Sequence, residues 1–344
     1  MRKVASGYKL IFGYLGLFMV FVGIATLLPL LALPFFPNES SSWYCFVIPG
    51  GGAILLGLAL YSLIFKRTKS QLGKHQDSIL LVLVWISAIL ISAVPFAIKG
   101  LSFTNSVFES TSAYATVGLS IFTEAEYELK LFVLYRSLLC FVGGIGLVLI
   151  VTSAISDRYG LKLYLAEGHN DKLMPNLARS ARSMLTIYFS ITVMGVILYV
   201  VAGMPVFDAI IHSISSVATG GFSSKAEGLM AFSSYESFWA IQLITVLLMI
   251  LGSMNFLIHM FILTGRFKKA FKDCEVKLFG ILLAIFIPLF FIATFAGQGW
   301  KNPLGALSTG SFTFISAIIA LILGYILYGT LVEKIFGIKT KRRR

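Results

Sequence analysis

Long runs of mostly apolar residues constrain this chain more than any other feature of its sequence. They lie near residues 9–35, 43–65, 78–98, 131–155, 184–203, 237–263, 278–297 and 311–332. Each run has the roughly 20 residues that an α-helix needs to cross about 30 Å of hydrocarbon. Only 12% of the residues are charged, whereas a soluble domain carries about 25%. The sequence therefore predicts an all-α polytopic membrane protein with about eight transmembrane helices.

The basic residues are distributed unevenly between these runs. If the N-terminus is cytoplasmic, 23 of the 28 Lys and Arg residues fall in the inner segments, including the KTKRRR tail. This asymmetry is typical of the positive-inside rule. It predicts a multi-pass protein of the cell membrane with cytoplasmic N- and C-termini. The chain has a net charge of +13. The asymmetry favours lipid headgroups over nucleic acid as the binding partner of its basic residues.

The residues that commonly carry catalysis or bind metals are scattered. Cys45, Cys140 and Cys274 have neither the spacing of a disulfide framework nor that of paired metal ligands. The four histidines are equally dispersed. The sequence therefore predicts no enzyme activity and no cofactor.

One polar segment occurs twice, at an offset of 103 residues. FTNSVFESTSAYATVGLS at 103–120 aligns without a gap on VFDAIIHSISSVATGGFS at 206–223, with six identities in 18 positions. In each copy a long apolar run precedes a short helical segment and a Thr-x-Gly loop, and another long run follows. The short helix cannot cross a bilayer. We expect two re-entrant pore-helix/filter loops in two parallel helix–pore loop–helix repeats.

The loop in each copy, ATVGLS or ATGGFS, has the composition that a cation filter requires. Irregular backbone at membrane depth is tolerated where protein buries it or where water and ions satisfy it. Carbonyl oxygens replace the hydration shell of a cation in a filter, and glycine permits the dihedral angles that turn successive carbonyls to one side. A single Thr-x-Gly usually marks a helix kink or a packing site. Its recurrence in matched surroundings favours a filter, with the negative end of each pore helix directed at the ion.

The sequence resembles the Trk/Ktr family of potassium-uptake proteins over roughly residues 10–290. The resembling segments, in family order, are AVPF (93–96), FESTSAYATVGLS (108–120), LYRSLLCFVGGIG (134–146), LYLAE (163–167), AGMPVFDAI (202–210), HSISSVATGGFS (212–223) and LGSMNFLIHMFILTGR (251–266). They are most similar to the Trk-type branch, which has two extra N-terminal helices. The resemblance implies passage of K⁺, sometimes Na⁺, through a pore controlled by a cytoplasmic ring of RCK-type nucleotide-binding subunits.

The family pattern assigns the K⁺ filter and divides the chain. The resemblance implies that the filter comprises Thr116, Val117, Gly118, Leu119, Thr219, Gly220, Gly221 and Phe222. The expected divisions are two extra N-terminal transmembrane helices (1–76), the first repeat (77–160), a cytoplasmic linker (161–182), the second repeat (183–265), and a partial third repeat with a final helix and a basic cytoplasmic tail (266–344).

A full family member has four repeats, and this chain corresponds to roughly the first half. Ser308, Thr309 and Gly310 weakly resemble a third filter, but no pore helix precedes them. Because four loops surround the ion, we expect a second copy of the chain or a second-half Trk-like chain to complete the pore. A non-conducting partner subunit and an inactive truncated relic remain alternatives. Parallel repeats disfavour an alternating-access transporter.

Charged residues near the loops have structural explanations. Arg136 is expected to pair with a nearby carboxylate such as Glu109 rather than to repel cations. Glu109 itself either raises the local cation concentration or holds its helix in place. Asp208 falls in the first turn of the second pore helix, where a carboxylate complements the helix dipole as a cap.

Three further features of the apolar runs predict helix packing. Asn255 and His259 are one helical turn apart on the sixth run and are expected to form interhelical hydrogen bonds. The glycines at 143–146 and 50–52 resemble fragments of phosphate-binding loops. Neither group lies in a strand–turn–helix unit, so close packing of helices is the favoured interpretation, with a hinge at 143–146 left open.

Overall fold

The structure is a computed structural model of the chain, which describes residues 8–65, 76–123, 127, 129–146, 177–272 and single positions between 276 and 292. No strand occurs among these residues. The α-helices are α1 (Tyr8–Leu27), α2 (Tyr44–Phe65), α3 (Gln76–Lys99), α4 (Phe103–Tyr114), α5 (Lys130–Ile145), α6 (Leu177–Val201), α7 (Val206–Val217), α8 (Phe238–Ser253), α9 (Phe256–Leu263) and α10 (Phe267–Lys272). Short 3-10 helices cover Leu28–Phe35, Pro37–Ser42 and Gly228–Phe232.

The described residues contain four helices that are long and apolar enough to cross a membrane. They are Ile11–Phe35, Tyr44–Leu63, Ile79–Lys99 and Arg182–Val201. These correspond to the first, second, third and fifth predicted spans. The seventh and eighth predicted spans, and the weak third filter at 308–310, lie mostly or wholly outside the described residues. The total of eight spans therefore stays a prediction.

Two predicted spans are not continuous helices. In the span predicted at 131–155, α5 ends at Ile145 and Gly146 has a φ of +92°, while residues 147–155 lie outside the described residues. The span predicted at 237–263 is broken, because α8 ends at Ser253 and Met254 is extended, with a ψ of 143°. Apolar composition indicated burial in the membrane at both places, but it carried no information about the backbone breaks.

The prediction that Asn255 lies within a helix is also wrong. Asn255 lies in the break before α9, and its carbonyl oxygen accepts hydrogen bonds from the backbone N–H groups of Ile258 at 2.9 Å and His259 at 3.4 Å. The Nδ1 atom of His259 lies 3.2 Å from the same oxygen. Asn255 and His259 thus interact with each other around the start of α9, instead of lying side by side on one helical face.

Helices α1 and α2 form an N-terminal hairpin whose close packing depends on glycine. A Cβ atom added to Gly16 would lie 2.6 Å from the carbonyl oxygen of Gly57, and one added to Gly23 would lie 2.6 Å from that of Gly50. Small residues allow such close approach of helices in a membrane. The packing predicted for the glycines at 50–52 is confirmed for Gly50 alone, because a Cβ at either of the next two would meet nothing within 4 Å.

The repeat in the sequence is also a repeat in the structure. The short helix α4 packs on α3 and α5, and the short helix α7 packs on α6 and α8. The hydroxyl of Ser110 donates a 2.9 Å hydrogen bond to the carbonyl of Ile89, and that of Ser213 donates a 2.6 Å bond to the carbonyl of Thr192. Donor and acceptor are both displaced by 103 residues between the copies. Helix α7 additionally packs on α5, which joins the two repeats.

Candidate functional site

Helices α4 and α7 end in the same hydrogen-bonded turn. The backbone N–H groups of Thr116 and Val117 donate to the carbonyls of Ala113 and Ser112, each at 3.0 Å. The residues 103 positions later make the same two bonds, at 3.1 and 2.8 Å. This pair of bonds is that of a Schellman motif, which normally has glycine at the left-handed position. Here the position holds Thr116 or Thr219, with φ values of 52° and 55°.

The turn is followed in each loop by a glycine with positive φ. Gly118 has a φ of 77° and Gly221 a φ of 71°. A Cβ atom added to Gly118 would collide with the carbonyl oxygen of Gly220. The centres of the two loops are therefore in direct contact, and the tertiary fold brings together the two segments that the sequence predicted as filters.

The eight predicted filter residues differ in burial between the loops. Val117 and Leu119 are 56% and 60% exposed. Phe222, which corresponds to Leu119 in the repeat, is only 3% exposed. Gly220 is buried against the Sγ atom of Cys140 on α5. Loop 1, residues 116–119, is thus open on the face that is covered in loop 2, residues 219–222.

A glycine on the following helix lies against the last carbonyl of each short helix. A Cβ atom added to Gly143 on α5 would collide with the carbonyl oxygen of Tyr114, and one added to Gly252 on α8 with that of Val217. One added to Gly144 would lie 2.5 Å from the hydroxyl of Tyr188. The close packing predicted for the glycines at 143–146 is confirmed at these two positions.

Arg136 and Glu109 form an ion pair beside loop 1. Both side chains are fully buried, with the Nη1 atom of the guanidinium 3.2 Å from the Oε1 atom of the carboxylate. The carboxylate also accepts hydrogen bonds from the hydroxyl of Ser120 at 2.9 Å and the backbone N–H of Ile121 at 3.1 Å. The predicted pairing is confirmed, and Glu109 holds the end of loop 1 as well as its own helix.

The same guanidinium reaches the second repeat. Its Nη2 group donates a 2.6 Å hydrogen bond to the carbonyl of Ser223, the residue that follows loop 2. Its Cζ atom lies 4.6 to 4.9 Å from the ring centroids of Phe122, Tyr127 and Phe222. Arg136 therefore contacts the residue that follows each loop and the ring of Phe222 in loop 2. The sequence predicted the ion pair but not the bond to Ser223, because no local pattern indicates which carbonyl the folded chain brings to a guanidinium.

In the second repeat a histidine stands at the position of Glu109, and it contacts the serine that corresponds to Ser120. His212, which lies 103 residues after Glu109, has its Nε2 atom 3.2 Å from the hydroxyl of Ser223. A cavity of about 300 Å³ lies beside this pair, and its lining includes Thr219, Thr245 and Met249. Asp208 lies in the first turn of α7 as predicted and is 7% exposed.

The chemistry available around the loops is that of oxygen ligands. The part of the chain that the structure describes contains no group of three or more His, Cys, Asp or Glu residues that could hold a metal ion. The loops instead offer peptide carbonyls and the hydroxyls of Thr116 and Thr219. Hard oxygen ligands of this kind suit alkali and alkaline-earth cations rather than soft metals.

Comparison with known proteins gives consistent matches. A family profile described as TrkH, cation transport protein, matches residues 50–296. The Trk system potassium uptake protein TrkG of Escherichia coli is 29% identical over 278 residues, which cover 78% of this chain and 56% of the relative. The TrkH protein of Vibrio parahaemolyticus is 29% identical over 263 residues, which cover 73% of this chain and 53% of the relative.

A solved structure has the same fold. The crystal structure of the potassium transporter TrkH from Vibrio parahaemolyticus matches with a TM-score of 0.76 at 26% identity, covering 90% of this chain and 64% of that chain. The chain therefore spans about half the length of the curated relatives that it matches.

Proposed function

Because the chain belongs to the TrkH family of cation transport proteins, we propose that it carries K⁺ across the membrane through a pore that loops 1 and 2 help to line. The observation that carries this proposal is the matched geometry of the two loops. Each begins with a left-handed threonine, each contains a glycine with positive φ, and the two touch at Gly118 and Gly220. Residues 116–119 and 219–222 form the filter segments in this proposal.

The proposed mechanism needs no covalent chemistry. Peptide carbonyls replace the water around a dehydrated cation, and the exchange is selective when their number and spacing suit that ion. The membrane potential supplies about 2.3 kcal/mol per elementary charge per 100 mV. The protein is accordingly a conduit driven by the potential and not an enzyme. The names of the relatives favour K⁺ as the ion, and Na⁺ is the competing one to test.

A filter of four loops needs two more than loops 1 and 2 provide. We infer that a second copy of this chain or a second-half Trk-like chain supplies them, and that an RCK-type subunit controls the pore from the cytoplasm. The exposed face of loop 1 supports the need for a further element, because the equivalent face of loop 2 is covered by α5. The inferred location is the cell membrane, with both termini cytoplasmic and the repeats divided as the sequence predicts.

The test is Rb⁺ uptake by liposomes containing the purified chain, alone or with a second-half protein co-expressed. Gly118→Ser and Gly221→Ser should abolish the flux or its selectivity, because each places a side chain at a positive-φ position in a loop. Gly51→Ser is the matched control, because a Cβ at this helical glycine meets nothing within 4 Å. Absence of flux from the chain both alone and with the second-half protein would favour the alternative, a non-conducting partner subunit or an inactive relic.

A further inference from the structure

We propose that Arg136 is a positioning residue that fixes loop 2 relative to loop 1, so that ion discrimination depends on it. The inference rests on the proposed function of the loops. Arg136, Glu109, Ser120 and the carbonyl of Ser223 together form a clamp.

One side of the clamp belongs to the first repeat. Glu109 on α4 fixes the guanidinium through the 3.2 Å ion pair, and Ser120 accepts a second bond from Nη1 at 2.7 Å. Ser120 in turn donates to Glu109. Because Ser120 follows Leu119 directly, the end of loop 1 is held in this network.

The other side belongs to the second repeat. The 2.6 Å bond from Nη2 to the carbonyl of Ser223 is charge-assisted, and such bonds are roughly twice as strong as neutral ones. The Cζ atom also lies 4.9 Å from the ring centroid of Phe222, the last residue of loop 2. The guanidinium thus fixes the position of the C-terminal end of loop 2 relative to loop 1.

The energetic cost of the arrangement indicates a role beyond stability. A buried ion pair often contributes no more than a well-packed apolar pair, because desolvation of the two charges offsets their attraction. Here the Nε atom of Arg136 is also buried without a hydrogen-bond partner in the described part of the protein, which adds a further penalty. The clamp therefore stabilises the fold no better than apolar side chains of the same size would. Its directed bonds, however, orient the backbones of both repeats.

The ion pair of the clamp is not repeated at the equivalent position of the second repeat. The position equivalent to Glu109 is His212, and a cavity of about 300 Å³ lies beside it. The imidazole of His212 cannot supply the negative charge that Glu109 supplies. The ion pair thus belongs to the junction between loops 1 and 2 and is not a property of the repeat.

The test separates orientation from folding with charge-neutral variants. Arg136→Gln alone leaves Glu109 buried without its partner and should lower the unfolding temperature in detergent. The double variant Glu109→Gln with Arg136→Gln removes both charges, so it should recover most of that loss. Both variants should lose discrimination between Rb⁺ and Na⁺ by about tenfold, the factor that corresponds to about 1.4 kcal/mol. Arg266→Gln, at an exposed arginine, is the matched control and should change neither property.

A distance measurement tests the clamp without ion flux. Spin labels are attached to Thr104→Cys and Ala226→Cys, two exposed positions on the first and second repeats. The background carries Cys274→Ser, while Cys45 and Cys140 are buried and are retained. Double electron–electron resonance should give a narrow distance distribution when Arg136 is present and a broader or shifted one in the double variant.

The outcomes distinguish the two proposals. An unchanged distance distribution in the stable double variant overturns the clamp, whether or not the protein conducts. Wild-type selectivity in the double variant overturns it as well. If no combination of chains conducts, the proposed function fails, and the distance measurement still decides whether Arg136 positions the loops.

Discussion

At the scale of single residues, the loops are defined by strained backbone. A left-handed conformation costs an L-residue roughly 1–2 kcal/mol, and β-branched residues adopt it least readily. Thr116 and Thr219 nevertheless both adopt it, and they are the only non-glycine residues with positive φ in the described segments. Such strain persists where the surrounding structure enforces it and clusters at functional sites. We infer that the threonine hydroxyl is needed for the function of the loop, which accounts for a strained residue at this position.

Replacing Thr116 with glycine should therefore separate stability from function. Thr116→Gly removes the conformational penalty, so the unfolding temperature should rise or stay unchanged, while discrimination between Rb⁺ and Na⁺ should fall because a hydroxyl is lost. Thr111→Gly, at an exposed helical position on α4, is the control and should destabilise by roughly a few tenths of a kcal/mol. A loss of stability at Thr116→Gly as large as at the control would contradict the strain argument.

At the scale of elements, each short helix is held by the helix that follows it. The last carbonyl of α4 lies against Gly143 of α5, and that of α7 lies against Gly252 of α8. A serine hydroxyl on each short helix also donates a hydrogen bond to a carbonyl of the preceding long helix. These contacts fix the height and direction of the short helices, and hence the start of each loop.

A methyl group at the α5 contact should disturb loop 1. Gly143→Ala should destabilise the protein and reduce Rb⁺ flux, because the added Cβ collides with backbone that has little room to move. Overpacking of this kind typically costs about 1–3 kcal/mol. Gly52→Ala, where a Cβ meets nothing within 4 Å, should be neutral or slightly stabilising. Equal unfolding temperatures for the two variants would argue against a tight contact at Gly143.

The N-terminal hairpin contributes to the placement of α5 through Glu39. Its two carboxylate oxygens accept hydrogen bonds from the backbone N–H groups of Lys130 at 2.7 Å and Leu131 at 3.0 Å, the first residues of α5. A carboxylate at this end of a helix satisfies unpaired donors and complements the dipole. The first two helices are thus attached to the helix that carries Arg136, a link that the sequence did not indicate.

Removal of this carboxylate should weaken the attachment. Glu39→Ala should lower the free energy of unfolding by about 1–2 kcal/mol, the range for a lost helix cap. The measurement is thermal unfolding in detergent, with Glu227→Ala at an exposed position as the control. If the two substitutions shift the midpoint equally, the cap contributes nothing specific.

At the scale of the whole molecule, the two loops have different surroundings although their backbones match. Loop 2 is covered by Cys140 and Arg136 of α5, whereas Val117 and Leu119 of loop 1 are exposed. By the offset of 103 these two correspond to Gly220 and Phe222, which are buried. The open face of loop 1 is therefore where an α5-like helix from another repeat would lie in the proposed pore.

The proposed orientation in the membrane can be tested by labelling. Ser70→Cys lies in a basic segment predicted to be cytoplasmic, and Ala226→Cys lies in the segment after loop 2 that is predicted to be external. A membrane-impermeant maleimide should label Ala226→Cys in intact cells and Ser70→Cys only after permeabilisation, because Lys and Arg are retained on the cytoplasmic side. The reverse pattern would show that the orientation is inverted.

The sequence predicted the elements of the candidate site better than their contacts. The sequence predicted one short helix in each of the aligned segments 103–120 and 206–223, and the structure has them at Phe103–Tyr114 and Val206–Val217. The pairing of Arg136 with Glu109 was also predicted, because a buried charge in a membrane needs a counter-charge. The break after Ser253 was missed, since its neighbours are as apolar as those of an unbroken helix and a run of hydrophobicity does not report single dihedral angles.

By itself, the sequence determined that this is a helical membrane protein with two copies of one motif, because apolar length and a fixed offset can be read from residue order alone. Tertiary structure decided that Gly118 touches the carbonyl of Gly220 and that Arg136 bonds to Ser223. These partners are 102 and 87 residues apart in the chain, so no local pattern encodes their meeting. It follows from the packing of α7 on α5, which depends on the shape of both repeats at once.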